Sequence, residues 1–416
     1  EIPAQINLAF LVNENKKNAW LVLGGNGPTP IAEYCIEQTN ADVTVLGEGE
    51  ETIVELLECK LNSPESISEV QGIVYWVGKQ VVQNQRRKPP KLDTLPLPAW
   101  DLFPMDKYTT CLKVPRMKEA DIVFPMITTR GCISKCSFCY RMESGIRIRK
   151  PEHIIEEMKD LHKKYGVTYF IFFDELSVIS KKQILKFSSM IKENFEDIRF
   201  YMNCRVDVFD DEIACAMKEA GCALINIGFE STDQNVLDLL GKRVTVEQNI
   251  NAAELALKYD MAIGLNVIWG LPGDNERTLR ENTEFIKRYN RYDQIRTMRP
   301  VSPYPGSPLY YLAIQKGLLK GPADFFAKFK NADLYMVNFM GIPEKDIYEM
   351  LFDVNKDLIL DHYRHTSNDM EEADRLIQQF YNLYFKGNVS LAGPRHDDKL
   401  PFNSKRDKKM QGTLHG

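Results

Sequence analysis

The chain has 416 residues, of which 44% are hydrophobic and 27% charged, and its formal net charge is −5 at pH 7. This size and composition suffice for a large core without disulfide staples, and the mildly acidic balance argues against nonspecific binding to nucleic-acid phosphates. The two longest apolar runs, 220–229 and 261–272, are shorter than the roughly 18 residues of a membrane-spanning helix, and an asparagine interrupts each. With no signal peptide visible, we expect a cytoplasmic protein of roughly two or three domains.

Residues 1–85 predict part of an open α/β domain. Apolar runs at 19–23 and 42–46 each end in glycines, and helical stretches at 31–38 and 52–59 alternate with them. Two such strands are too few for a stable open sheet, and the sequence does not begin with methionine. We therefore expect the sequence to begin partway into a longer gene product.

A hairpin at 72–84 leads into a proline-rich linker at 86–120. From 121 to 310, six apolar runs alternate with helical stretches, which predicts a partial (β/α)6 TIM-like barrel with its site at the C-terminal ends of the strands. The fold class is therefore α/β, and a helical C-terminal region is predicted at 311–385. The tail, 386–416, carries seven basic and three acidic residues and is interpreted as solvated chain, with a partner-binding arm as the alternative.

Three of the nine cysteines form a Cys-x3-Cys-x2-Cys motif, Cys132, Cys136 and Cys139, directly after the first predicted barrel strand. The odd count and the scatter of the other six fit a reducing compartment rather than a disulfide framework. Three thiolates on one loop can hold three irons of a [4Fe–4S] cluster and leave one iron open, whereas electron-transfer clusters use four cysteines. Zinc is the alternative metal, but a Cys3His set would need His153 from beyond a predicted helix start.

A Cys-x3-Cys-x2-Cys motif after the first strand of a β/α barrel resembles the signature of the radical S-adenosylmethionine (radical SAM) enzymes, and the resemblance covers residues 123–310. It implies that the amino and carboxylate groups of SAM chelate the open iron of a [4Fe–4S] cluster. It also implies that a reductant such as a flavodoxin or ferredoxin supplies an electron that cleaves SAM to methionine and a 5′-deoxyadenosyl radical. The cofactors carry the difficult chemistry, and the protein supplies geometry and shielding.

The resemblance assigns SAM contacts to residues at the predicted strand ends and in the cysteine loop. The implied contacts are Asp174 and Glu175 with the amino group, Glu230 and Ser231 near the ribose hydroxyls, and Phe138 and Ile268 with the adenine. Asn203 and Arg205 end the third strand as further cofactor-binding candidates, and the arginine is suited to the carboxylate of SAM. Each residue type also has a structural interpretation. Strand-end carboxylates can cap helices, an arginine can form an ion pair, and an aromatic ring can belong to the core.

The order of features resembles the cobalamin-binding subgroup of the radical SAM family, in which glycine turns at strand ends precede a linker and then the barrel. In that subgroup paired glycines, here Gly24 and Gly25, let the backbone approach the cobalamin tail, although turns need glycine anyway. The Asp-x-His-x-x-Gly motif that ligates cobalt in many cobalamin domains is absent, since all six histidines lie beyond residue 150. Three alternatives follow: the motif lies upstream, cobalt has no histidine ligand, or no cobalamin binds.

These observations predict a radical SAM enzyme, with methyl transfer onto an unactivated carbon as the leading function. A cobalamin-independent radical SAM cyclase, oxidase or rearrangement enzyme is the first alternative, and a noncatalytic iron–sulfur electron carrier is the alternative from another class. The acidic balance and the lack of a basic RNA-binding appendage argue against a tRNA-modifying enzyme. Small-molecule, lipid and peptide substrates are all compatible with the sequence.

Overall fold

The structure is a computed structural model that describes residues 2–387, so the tail interpreted as solvated chain lies outside the described residues from position 388 onward. The strands are β1 (Val22–Leu23), β2 (Val43–Val45), β3 (Ile73–Val77), β4 (Gln80–Gln83), β5 (Val123–Met126), β6 (Thr129–Cys132), β7 (Gly145–Ile148), β8 (Tyr169–Phe172), β9 (Arg199–Cys204), β10 (Cys222–Glu230), β11 (Ala262–Trp269) and β12 (Arg299–Pro300).

The α-helices are α1 (Ile2–Asn15), α2 (Ala32–Thr39), α3 (Glu50–Asn62), α4 (Met105–Cys111), α5 (Pro151–Tyr165), α6 (Lys181–Asn194), α7 (Asp211–Glu219), α8 (Gln234–Leu239), α9 (Val246–Lys258), α10 (Glu276–Tyr289), α11 (Pro308–Gln315), α12 (Pro322–Lys328), α13 (Glu344–His365) and α14 (Met370–Phe385). Short 3-10 helices lie at Thr29–Ile31, Pro64–Glu69, Leu92–Thr94 and Trp100–Leu102. Every helix within residues 2–387 is too short or too polar to cross a membrane.

The N-terminal unit is a four-stranded mixed sheet in the order β1-β2-β3-β4. Strands β1 and β2 pair in parallel, and the hairpin β3–β4 continues the same sheet antiparallel to β2. Helix α3 packs on one face through Leu56 against Val43 and Ile73, and α2 packs on the other face through Ile36 against Val74. The hairpin thus adds two strands to the pair that the sequence predicts, and both faces of the enlarged sheet are covered.

Six parallel strands form the central sheet, in the order β12-β11-β10-β9-β8-β5. This arrangement confirms the predicted partial barrel. Because successive side chains of a strand point to opposite faces, Phe170, Phe172 and Phe200 are fully buried with Phe187 of α6 on the outer face. The opposite face, which carries the buried Tyr169 and Ile171 and the half-buried Tyr201, lines the barrel interior.

Helices around the barrel begin at polar side chains that the sequence supplies at the right positions. Asp210, Thr245, Asn275 and Ser307 each accept a hydrogen bond from a main-chain N–H in the first turn of α7, α9, α10 and α11, respectively. Such caps satisfy donors that would otherwise lack a partner at a helix start. The predicted C-terminal helical region is also present, since α13 and α14 pack together and contribute to the barrel's main core.

Candidate active site

The three motif cysteines lie on a loop that is bracketed by an antiparallel ribbon of β6 and β7, which the sequence analysis did not predict. The ribbon pairs Thr129 with Ile148 and ends where Cys132 pairs with Gly145. Gly131 has φ +87°, and a Cβ at this position would overlap the main-chain carbonyl oxygen of Gly145. Glycine is therefore required beside the first cysteine, because the two strands of the ribbon approach each other closely there.

The three thiols influence one another electrostatically. Burial raises the pKa of the Cys139 thiol to about 11, with further contributions from Cys136 and Cys132. Burial also raises the pKa of Cys136. Bound iron would offset the cost of ionising these buried thiols because it supplies positive charge and binds the deprotonated thiolate. The soft thiolate set therefore fits an iron–sulfur cluster.

A metal site for one ion is a different arrangement from a cluster site. Among residues 2–387, no three His, Cys, Asp or Glu side chains are gathered as ligands of a single metal ion would be. A [4Fe–4S] cluster binds each cysteine at a different iron. The assignment of the three cysteines as cluster ligands therefore stays a prediction that rests on their spacing, their shared loop and their mutual influence.

Main-chain hydrogen bonds hold the cysteine loop against the barrel. The Ser137 N–H donates to the Leu240 carbonyl oxygen at 2.9 Å, and the Leu309 N–H donates to the Ser137 carbonyl oxygen at 2.7 Å. The Arg205 guanidinium donates to the hydroxyl of Ser134 and pairs with Asp207 at 2.9 Å. Arg205 thus forms the ion pair of the structural interpretation and also touches the cysteine loop, while its contact with SAM stays a prediction.

The two carboxylates after β8 contact the chain segment that leads to Cys132. Asp174 is buried, and its carboxylate accepts from the main-chain N–H of Thr128 at 2.7 Å and of Thr129 at 3.0 Å. Burial raises the pKa of Asp174 above its ordinary value. Burial also raises the pKa of Glu175, while the nearby Gly131 N–H acts in the opposite direction. Both residues support the entry to the cysteine loop, and their predicted contact with the SAM amino group stays a prediction.

Glu230 is half of a buried ion pair whose other half, Lys242, sequence reasoning missed. Glu230 ends β10 at φ +63°, and its Oε1 accepts from Lys242 Nζ at 2.7 Å. The two side chains are only 10% and 6% exposed, respectively. A Cβ at Gly228 would lie 2.9 Å from Lys242 Nζ, so the glycine provides the space for this pair. Both charges influence the pKa of the Cys136 thiol, so the pair lies close to the cysteine loop.

The remaining predicted SAM contacts divide into an apolar surface and a buried turn. Phe138 of the cysteine loop and Ile268 of β11 are half-buried in one apolar cluster with Leu271. Such a surface can accept an adenine ring. Ser231 is fully buried, and its hydroxyl accepts from the Asp233 N–H before α8. The structure therefore brings Phe138 and Ile268 together and gives Ser231 a contact within its own turn.

The glycine turns of the N-terminal unit lie against the end of the cysteine loop. Thr29 Oγ1 donates to the Gly25 carbonyl oxygen at 2.8 Å, accepts from the Gly47 N–H at 3.2 Å, and lies 3.8 Å from Met142 Sδ. Gly25 has φ +93° with open space where a Cβ would be, whereas Gly24 packs towards Val45. Backbone with open space beside it is what the approach of a large ligand requires.

A second contact between the N-terminal unit and the loop lies at Gly306. This residue has φ +87°, and a Cβ there would lie 2.6 Å from both the Pro30 and the Tyr140 side chains. The turn after β12, the N-terminal unit and the cysteine loop therefore meet at a position that accommodates only glycine.

Glu48, in the turn after β2, joins the N-terminal unit to both strands of the ribbon. Its side chain is 4% exposed, and it accepts from Arg130 Nη1 at 2.7 Å and from the guanidinium of Arg147. These arginines are register partners in β6 and β7. Burial opposes ionisation of Glu48, but hydrogen bonds from Arg147 and Arg130 outweigh it, so the pKa of Glu48 is lowered.

We expect Glu48→Gln to destabilise the folded protein by about 3 kcal/mol at neutral pH, because it leaves two arginines beside a neutral side chain. A lowered folded-state pKa means that the ionised Glu48 stabilises the fold above its unfolded pKa and loses this effect as the pH falls through the folded pKa. Urea unfolding should therefore show a difference in the free energy of unfolding between wild type and variant, and this difference should become smaller as the pH falls.

Glu50→Gln is the matched control for this experiment. Glu50 pairs with Arg130 at 2.6 Å but is 37% exposed, so we expect this variant to lose less than about 1 kcal/mol of stability. If both variants lost the same amount of stability, the claim that buried Glu48 stabilises the fold more than exposed Glu50 would be wrong.

Comparison with known proteins identifies the family. The Radical SAM superfamily profile matches residues 126–286, which contain all three motif cysteines. An uncharacterized methyltransferase of Pyrococcus horikoshii is 32% identical over 324 residues, which cover 75% of this chain and 67% of that protein. The chain belongs to the radical SAM superfamily. It is therefore an enzyme, and the cofactors of its family are a [4Fe–4S] cluster and SAM, as the sequence predicts.

A further relative of this radical SAM enzyme is a cyclase. An anaerobic magnesium-protoporphyrin IX monomethyl ester cyclase of Cereibacter sphaeroides is 28% identical over 303 residues, which cover 70% of this chain. The chain spans 48% of the length of that cyclase.

Two solved structures share the fold of this radical SAM enzyme. The cobalamin-dependent enzyme OxsB, with aqua-cobalamin and SAM bound, matches 99% of this chain and 66% of its own at a TM-score of 0.66 and 17% identity. The methyltransferase TsrM from Kitasatospora setae, with cobalamin and a [4Fe–4S] cluster bound, matches 76% of this chain and 61% of its own at a TM-score of 0.59 and 17% identity. The match to OxsB extends over the N-terminal unit as well as the barrel.

Proposed function

We propose that this radical SAM enzyme methylates an unactivated carbon and that cobalamin binds between its N-terminal unit and the cysteine loop. The observation that carries the proposal is the contact of the two glycine turns, through Thr29 and Gly47, with Met142 and Glu143 just beyond Cys139. Ligands of open α/β sheets bind at the carboxyl ends of parallel strands. Those ends, after β1 and β2, lie beside the cysteine loop.

A relative in sequence and two relatives in structure support this proposal. The Pyrococcus horikoshii protein is named a methyltransferase, and OxsB and TsrM share the fold and have cobalamin bound. The N-terminal unit contains no histidine before residue 86. Any histidine ligand of cobalt would therefore come from outside residues 1–85.

Specific residues of the chain would hold the cofactors. Cys132, Cys136 and Cys139 would bind the cluster, and Gly24 and Gly25 would let backbone approach cobalamin. When bound, the cluster and cobalamin supply reductive SAM cleavage and methyl carriage. The apolar surface at Phe138 would shield the adenine from water. The family needs a reductant, and we propose a flavodoxin or ferredoxin for this role.

A second candidate function is radical cyclisation or oxidation without cobalamin. The observation that favours it is the 28% identity with the magnesium-protoporphyrin IX monomethyl ester cyclase. The two candidates differ in how they consume SAM. Methyl transfer uses SAM both as a methyl donor and as the source of the 5′-deoxyadenosyl radical, whereas the second candidate uses it only as the radical source.

The ratio of SAM-derived products should distinguish these candidates. Anaerobically reconstituted protein, supplied with hydroxocobalamin, SAM and dithionite, should release S-adenosylhomocysteine as well as 5′-deoxyadenosine. The first product should disappear when hydroxocobalamin is omitted, and the second should persist. In the presence of the true substrate, the two should form in about equal amounts, because one SAM donates the methyl group and another is cleaved reductively. If protein with bound cobalamin releases 5′-deoxyadenosine alone, the methyl-transfer proposal is wrong and the second candidate takes its place.

A further inference from the structure

Three asparagine side chains form a row across the inner face of the barrel sheet. Asn226 Nδ2 of β10 donates to Asn203 Oδ1 of β9 at 2.9 Å, and Asn266 Nδ2 of β11 donates to Asn226 Oδ1 at 2.7 Å. We call these three residues the asparagine row. Asn266 is exposed although β11 lies in the interior of the six-stranded sheet. Asn203 and Asn226 are half-buried, and a partly exposed polar row inside a barrel points to contact with a ligand rather than to core packing.

The backbone is adapted to this row at Gly264. Gly264 is the register partner of Asn226 in the neighbouring strand, and a Cβ there would overlap the amide oxygen of Asn226. Glycine inside a strand weakens the strand and commonly marks a close approach. Here its absent side chain lets the Asn226 amide cross β11 and reach Asn266.

The row forms one wall of a cavity of about 760 Å³, which is within the usual size of a site for a small organic molecule. Asn226 and Asn266 line the cavity, and Ile171, Phe173 and Leu224 give it apolar walls.

The two cavity arginines are engaged within the protein. Arg116 binds Asp293 at 2.9 Å, and Arg296 donates to the main-chain carbonyl oxygen of Ile263. Lys113, Arg116, Asp293 and Arg296 belong to the segments that precede β5 and β12, whereas the asparagine row lies farther along β9, β10 and β11, so its own hydrogen-bonding groups are uncharged amides.

The row also connects the cavity to the cluster site. Asn203 Nδ2 donates to the main-chain carbonyl oxygen of Asp174, whose carboxylate holds Thr128 and Thr129 before Cys132. The Asn203 end of the row thus adjoins the segment that leads to Cys132, where the radical chemistry of the proposed function takes place, whereas the cavity extends to residues 112–117 and 292–296, which precede β5 and β12.

We infer that the asparagine row binds an uncharged hydrogen-bonding group, such as an amide, hydroxyl or carbonyl, of an amphipathic substrate whose apolar body occupies the cavity. A carboxamide offers both donors and an acceptor without charge. Burying a charged group against the row is costly because the asparagine side chains carry no charge that could pair with it. The identification of the ligand as the substrate rests on the proposed function, whereas the binding chemistry does not.

Binding of matched amphiphiles can test this inference without turnover. N-phenyl-1-naphthylamine, a neutral fluorophore, would report occupation of the cavity in the reconstituted protein, and octanamide, octanoate and octylamine would compete for it. We expect octanamide to displace the fluorophore at a concentration at least about tenfold lower than the two charged amphiphiles. Asn226→Leu and Asn266→Leu should each reduce this preference to less than about threefold while the fluorophore still binds.

Asn251→Leu is the matched control, because Asn251 is exposed on α9 outside the cavity. It should leave the preference unchanged. Two asparagine variants are used because Asn226 is half-buried and its replacement could unfold the sheet, whereas Asn266 is exposed. Stronger competition by octanoate would assign the anchor to Arg296 and overturn the inference, as would a preference that survives both variants. Because SAM consumption is not measured, a failure here is distinguishable from a failure of the methyl-transfer proposal.

Discussion

Replacement of any one of Cys132, Cys136 and Cys139 by alanine should eliminate both the cluster and all SAM cleavage. Anaerobically reconstituted wild-type protein should contain about four irons per chain, held by three thiolates. Two thiolates leave a second iron without a protein ligand, so each variant should lose iron and form no 5′-deoxyadenosine. Iron analysis, the cluster's absorption and product chromatography would measure these losses.

Two cysteines outside the motif provide controls for this experiment. Cys35 is buried in α2, where burial raises its pKa to about 11, and Cys215 is half-buried on α7. Cys35→Ala and Cys215→Ala should therefore retain iron and SAM cleavage. Thermal unfolding of each motif variant would separate a lost ligand from a lost fold. Zinc in place of iron after anaerobic expression would falsify the cluster assignment.

The barrel strands and the cysteine motif were predictable because their signals are local. A parallel strand buried by helices is a continuous apolar run, and the spacing of the three cysteines is visible within one short loop. The ribbon of β6 and β7 has no such signal. Its four-residue strands contain Arg130 and Arg147, which are stabilised by Glu48 from a distant turn rather than by burial of apolar side chains.

Lys242 and the asparagine row were missed for a related reason. In the sequence, Lys242 is one basic residue in a turn, and only folding brings it to Glu230. Asn226 and Asn266 are the residues that interrupt the two longest apolar runs, and they served there only to argue against a membrane span. The role of these asparagines can be recognised only from the register of β10 against β11, which places Gly264 beside Asn226.

Replacement of Glu230 by alanine should have two separate effects. If its carboxylate accepts a hydrogen bond from a ribose hydroxyl of SAM, the loss of that bond costs about 1.5–3 kcal/mol, which is a loss of about 10- to 150-fold in SAM affinity. The cluster spectrum should stay intact because Glu230 is not a cluster ligand. The structure adds an effect on stability, since Lys242 would remain as a buried cation without its partner, which costs about 3–5 kcal/mol.

A double variant can separate the two effects. Replacement of a buried ion pair by uncharged side chains is often neutral for stability, whereas removal of one partner is strongly destabilising. Glu230→Gln combined with Lys242→Met should therefore recover most of the stability that Glu230→Ala loses, as measured by urea unfolding. SAM affinity, measured by equilibrium binding to the reconstituted protein, should stay low because the carboxylate acceptor is still absent. If affinity recovers together with stability, Glu230 serves only to neutralise Lys242, and the ribose contact must be assigned to another residue.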